Sequence, residues 1–125
     1  MTRRILLIDD EPAIHIVVTA SLEVTAGWEV LVADSARAGI QMAQTERPDA
    51  ILLDVMMTEQ DGPTVFRKLQ AKPITQNISV IFLTAKVRNG EQRELKTLGA
   101  AGVITKPFEP DEIANQIKAL LNWPD

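Results

Sequence analysis

Short unbroken apolar runs alternate along the chain with longer stretches in which apolar residues recur every three or four positions. Ile5-Leu6-Leu7-Ile8, Ala50-Ile51-Leu52-Leu53 and Val80-Ile81-Phe82-Leu83 are too continuous for strands with one wet face. They suit parallel strands covered on both faces. Strand patterns over residues 4–9, 28–33, 50–54, 79–84 and 102–105 are each followed by a helical pattern. This alternation predicts an α/β fold, a doubly wound parallel sheet between helices, with residues 1–125 forming one domain.

Local signals place the helices. Pro12 suits an opening turn, and the first helix is expected to stop at Gly27, with Ile14, Val17, Val18 and Leu22 inward and His15 on its exposed side. Asp34 or Ser35 is placed to cap the second helix, which carries Ala36, Ile40 and Ala43 inward and ends before Pro48. Residues 55–61 have no helical period, whereas Gly62-Pro63 opens a short helix through Gln70 with Val65, Phe66 and Leu69 apolar. The fourth helix, over residues 90–98, is mostly polar and reads as a solvated face. Pro110 begins the fifth, in which Ile113, Ile117, Leu120 and Leu121 are apolar, and Trp123 reads as part of a packed terminus.

The runs end in polar groups: Asp9-Asp10-Glu11, Asp54, Thr84 and Lys106-Pro107. In a parallel sheet these ends share one edge, where ligands of open α/β sheets gather. Carboxylates crowded there repel one another, and a hard divalent cation relieves the conflict. The set matches what transfer of a phosphoryl group onto a carboxylate requires. Asp54 would be the nucleophile, while Asp9, Asp10, Asp54 and the Met56 backbone carbonyl would hold Mg2+. Lys106 and Thr84 would bind the remaining phosphoryl oxygens, the first as a charge and the second as a donor.

Charge and composition narrow the partners. A net charge of -4 argues against a direct nucleic-acid surface on this chain, since duplex binding rests on clustered Lys and Arg. The absence of cysteine excludes disulfides and thiolate metal sites. The start, Met1-Thr2-Arg3-Arg4, imitates a signal peptide only faintly, because the apolar run after it is short and meets Asp9-Asp10 at once. With no stretch of membrane-spanning length, no membrane insertion is expected, and the cytoplasm is the expected location.

The ordered set Asp9-Asp10, Asp54-Val55-Met56-Met57, Asp61-Gly62, Thr84-Ala85 and Lys106-Pro107-Phe108, spread over essentially the whole chain, resembles the receiver domains of two-component response regulators, most of all the CheY type. The resemblance implies a flavodoxin-like, CheY-like sheet of five parallel strands in order 2-1-3-4-5, flanked by five helices. It also implies a phosphorelay: a histidine kinase, or a phosphotransfer protein, donates from phosphohistidine to Asp54. A downstream protein would then be engaged through the face made by the fourth helix, fifth strand and fifth helix. Such a protein promotes its own phosphorylation and dephosphorylation but is not a turnover enzyme.

Three departures from the family pattern stand out. Val103 occupies the place of an aromatic that usually follows the Thr84-type hydroxyl, so coupling is expected to run through the backbone around Thr84 to Lys86. Thr58 stands where relatives often have Pro, which predicts a looser loop beside Asp54. The charges that pair some receivers into dimers are not evident in Ala100-Ala101 or Asn115-Gln116.

Taken singly, each residue has a plainer reading. Asp10 suits a helix N-cap, Lys106 a solvated loop, and Thr84 a turn cap. A haloacid dehalogenase-type enzyme would need Asp-x-Asp-x-Thr after its first strand, which Asp9-Asp10-Glu11-Pro12 does not supply. A flavodoxin-like FMN site needs hydroxyls and amides where this chain has acids. The rival that survives is a receiver-like interaction module acting without phosphorylation.

Overall fold

The computed structural model of the protein describes residues 2–85 and 91–124, the side chains of residues 91 and 92 excepted. Its strands are β1 (Arg4–Ile8), β2 (Glu29–Ala33), β3 (Ala50–Asp54), β4 (Ser79–Thr84) and β5 (Gly102–Thr105). Between and after them come α1 (Pro12–Ala26), α2 (Ala36–Glu46), α3 (Gly62–Gln70), α4 (Glu91–Thr97) and α5 (Ile113–Leu121). All four strand pairings are parallel and the order is β2-β1-β3-β4-β5. This is the expected order.

The continuous apolar runs follow from helices covering both faces. Ile5, Leu7, Leu52, Ile81, Leu83 and Ile104 turn to one side, where Val18 and Leu22 of α1 and Ile113 and Ile117 of α5 cover them. Leu6, Ile8, Ile51, Leu53, Val80 and Phe82 turn to the other, against Ala36 and Ala43 of α2, Val65, Phe66 and Leu69 of α3, and Leu95 of α4. Successive strand residues point to opposite faces, so a strand buried on both must be apolar at every position. The interior leaves no position along β1 or β3 for a polar group until the strand ends.

Several local readings change. Val17 lies at 36% exposure, beside Ile16 at 70%, so the buried stripe of α1 is Val18 and Leu22 with Ile14 half-buried. Trp28 stays out of the β2 ladder because its N–H closes the end of α1 on the Leu22 carbonyl at 3.2 Å, next to Gly27 in the left-handed region at φ 68°. Ser35, rather than Asp34, caps α2 by accepting from the Ala38 N–H at 3.1 Å. Residues 110–112 form a turn and α5 starts at Ile113, since the fixed φ of Pro serves a turn as readily as a first helical residue. Trp123 is packed as expected, edge-on to Trp28 with ring centroids 5.5 Å apart and with the Arg3 guanidinium 4.2 Å from its own centroid. The readings on Lys86 and on Gly90 as the start of the fourth helix lie outside the described residues. Among the described residues, no helix is long and apolar enough to cross a membrane.

Candidate functional site

Register carries the polar strand ends to one place. Ile8 pairs with Leu53, Asp54 with Leu83, and Thr84 with Thr105. Asp9, Asp54, Thr84 and Lys106 therefore lie at or one residue beyond adjoining strand ends along the carboxyl edge. Asp9 is 0% exposed, Asp54 5% and Thr84 6%. Carboxylate oxygens of Asp9, Asp10 and Asp54 all lie within 4.8 Å of one another.

One cation holds the two buried acids. Lys106 Nζ donates to Asp9 Oδ2 at 2.9 Å and lies 3.3 Å from Asp54 Oδ1. Asp9 Oδ1 accepts from the Glu11 N–H at 2.9 Å, and Asp54 Oδ1 accepts from the Met56 N–H at 3.3 Å. Burial raises the Asp54 carboxyl above its ordinary value, with the Asp9 charge adding to it, while Lys106 and the Met56 N–H pull the other way. Burial alone would lower the Lys106 ammonium, yet its bonds and charge interactions with Asp9 and Asp54 hold it above its ordinary value. Among the described residues, the two buried acids share this one base, so negative charge exceeds positive charge there.

Asp10 is not a helix cap: Glu11 occupies the N-cap position of α1. Its Oδ2 accepts instead from the Thr58 hydroxyl at 2.6 Å and the Thr58 N–H at 3.0 Å, and these bonds hold the Asp10 carboxyl below its ordinary value. The loop expected to be looser for want of a Pro is thus tied across the site. His15 also departs from its expected exposed setting: it is half-buried and its Nε2 donates to the Asp9 carbonyl. Helical side chains lean toward the N-terminus, which brings residue 15 back over the start of α1 and offered a signal for this contact. Asp61 caps α3, its Oδ1 accepting from the Thr64 N–H at 2.8 Å. Gly62 is required where it stands, because a Cβ there would meet the Asp54 carbonyl oxygen at 2.7 Å and the Val55 Cα at 2.9 Å. Met56 has its side chain in solvent at 75% exposure.

The three carboxylates form an oxygen-only donor set with excess negative charge, which fits a hard divalent cation and disfavours soft or nitrogen-preferring metals.

Comparison with known proteins places the chain in a family. The chain is 35% identical over 121 residues to the alkaline phosphatase synthesis transcriptional regulatory protein PhoP of Bacillus subtilis, covering 97% of this chain and 49% of that protein. It spans about half the length of several such relatives. Protein PilH of Pseudomonas aeruginosa is 34% identical over 118 residues, with 94% of this chain and 97% of PilH covered. Among solved structures, the chemotaxis protein CheY4 of Vibrio cholerae superposes with a TM-score of 0.88 at 27% identity, covering 96% of this chain and 99% of CheY4. The family model for the response regulator receiver domain matches residues 5–118, and the chain belongs to that family of two-component signalling proteins.

Proposed function

We propose that residues 1–125 act as one phosphorelay receiver unit in which Asp54 accepts a phosphoryl group from the phosphohistidine of a sensor histidine kinase or a phosphotransfer protein. The observation that carries this reading is Lys106 Nζ set between Asp9 and Asp54 at 2.9 and 3.3 Å, at the buried end of the central strand. An Asp54 carboxylate oxygen attacks phosphorus as the P–N bond breaks, its electron pair staying on the donor imidazole nitrogen. With the donor ring protonated at its other nitrogen, the products are an acyl phosphate on Asp54 and a neutral histidine. Among the described residues, Lys106 is the cation nearest the negative charge that Asp54 gains, and Thr84 supplies a hydroxyl at the adjoining strand end. Asp9, Asp10, Asp54 and the Met56 carbonyl would hold Mg2+, which when bound neutralises charge shared by carboxylate and phosphoryl oxygens.

The acyl phosphate is the signal, so the protein is not a turnover enzyme. Output is assigned to a downstream protein on the α4, β5 and α5 face, where Val103, Thr105, Phe108, Gln116, Ala119 and Leu120 line a shallow groove. The net charge of -4 supports protein rather than nucleic-acid contacts for these residues, in the cytoplasm. Intact-mass measurement after incubation with a small-molecule phosphodonor tests the proposal. One phosphoryl adduct is expected with Mg2+, none without it, and none in Asp54→Ala. No adduct on folded, Mg2+-binding protein would overturn it in favour of a module that signals without phosphorylation.

A further inference from the structure

The three carboxylates of the cluster are not held in the same way. Asp9 and Asp54 are fixed by burial, by Lys106 and by the N–H groups of Glu11 and Met56. Asp10 is half-buried, the least buried of the three. Both donors of Thr58 hold it instead, converging on the single oxygen Oδ2 from a residue 48 positions away in the chain.

We infer that Thr58 is a positioning residue for divalent-cation binding: it clamps Asp10 through Oδ2 so that Oδ1 is presented with the Asp9 and Asp54 carboxylates. A free Asp side chain rotates about two bonds, and stopping that rotation before the cation arrives reduces the ordering cost of binding. The clamp also ties the loop after β3 to the loop after β1, so the two sides of the cluster keep their spacing. Carboxylates have enough lone pairs for both roles, because two donors on one oxygen leave the other open. Threonine supplies an N–H and a hydroxyl at this point. Proline would supply neither, and valine only the N–H.

The inference rests on the reading of Asp10 as a cation ligand, and the test separates the two. Mg2+ is titrated calorimetrically into the wild type and into Thr58→Ser, Thr58→Val and Thr58→Pro, with folding checked by circular dichroism. Loss of an outer partner of a metal ligand weakens binding about 10- to 100-fold, and an exposed clamp that keeps one of its two bonds falls at or below the low end. Thr58→Val is therefore expected to bind Mg2+ about threefold to tenfold more weakly, Thr58→Pro about tenfold or more, and Thr58→Ser within about twofold of the wild type. In the metal-free protein, the Thr58 amide proton is expected to move upfield in Asp10→Ala, reporting the clamp without any metal. Unchanged or tighter Mg2+ binding in Thr58→Val and Thr58→Pro, with the wild type binding normally, overturns the inference and leaves the proposed site standing. Absence of Mg2+ binding by the wild type overturns both.

Discussion

Strand β1 carries a charge cluster at each end, and the two are built on opposite terms. At its start, Arg4 donates through NH2 to Glu46 Oε1 at 2.7 Å and through NH1 to the Glu46 carbonyl at 2.8 Å, with Glu29 Oε1 3.7 Å from Nε. The Arg4 N–H meets Asp49 Oδ2 at 2.7 Å. Side-chain exposures of 33, 54 and 42% for Arg4, Glu29 and Glu46 keep these ions in water, so each loses little hydration and gains little attraction. Just beyond the other end, the Lys106, Asp9 and Asp54 side chains are 14, 0 and 7% exposed. Attraction at such distances is on the order of 4 kcal/mol at an effective dielectric near 20, yet desolvation costs several kcal/mol for each ion. The amino end therefore ties exposed elements together with its charges in water, whereas the carboxyl end holds, among the described residues, a buried surplus of negative charge that a further cation would offset. The two clusters differ here in burial, not in residue type or in the sign of their surplus charge.

Removing Lys106 should widen that difference most. Lys106→Met leaves two buried carboxylates facing one another, and loss of one partner of a buried pair costs about 3–5 kcal/mol. A chemical-denaturation series at pH 7 without metal is expected to show a loss of that size, with a large part recovered at saturating Mg2+. A loss below about 1 kcal/mol would mean that the carboxyl edge is as lightly loaded as the amino edge. Adduct formation by a small-molecule phosphodonor should fall sharply in the same variant.

Much of this contrast was legible in the residues. Strands buried on both faces must be apolar throughout, so Asp9, Asp54, Thr84 and Lys106 are visible as the points where apolar runs stop, and parallel pairing then sends them to one edge. Burial depth and sharing are not written locally: that one lysine serves both Asp9 and Asp54 depends on register between β4, β5 and the central strands. Thr58 was legible as a departure but read in the wrong direction, since absence of Pro frees an N–H that then finds Asp10. Val17 and Pro110 misled for local reasons. An apolar residue on α1 need not face inward when apolar residues such as Ile16 and Val24 also lie on its exposed side, and Pro suits a turn and a helix start equally.

Asp54→Asn probes the surplus charge from the other side. The folded protein raises the Asp54 carboxyl, so its favourable contribution is present below the unfolded value near 3.9 and is lost as pH rises through the raised folded value. At pH 7 without metal the variant should thus be more stable than the wild type, and the gap should close as the pH falls through the raised Asp54 value. Asp10 and Asp61 run the opposite way: both are lowered, so their contributions are present above about 3.9 and are lost on acidification through the lowered values. Acidification to pH 3 should therefore destabilise both proteins while erasing the difference between them. Mg2+ should reverse the order at pH 7, since a ligand at 100 times its Kd adds about 2.7 kcal/mol to the form that binds it. A less stable Asp54→Asn at pH 7 without metal would show that Lys106 already compensates both acids.

Arg4→Met should give the smallest effect and the sharpest check on the contrast. The lost contacts are exposed ion pairs, worth about 0.2–1 kcal/mol in all, together with a cation at the last carbonyls of α2 worth a few tenths more. The expected loss is therefore about 1 kcal/mol or less, and it should shrink in 1 M salt, where the screening length falls to about 3 Å. The Lys106→Met loss should largely persist there, because its partners are buried and salt screens buried pairs much less than exposed ones. Measuring both variants across a salt series sets the two ends of β1 side by side. A salt-insensitive Arg4 loss above about 2 kcal/mol would place the amino-end network in the buried regime and remove the distinction between the ends.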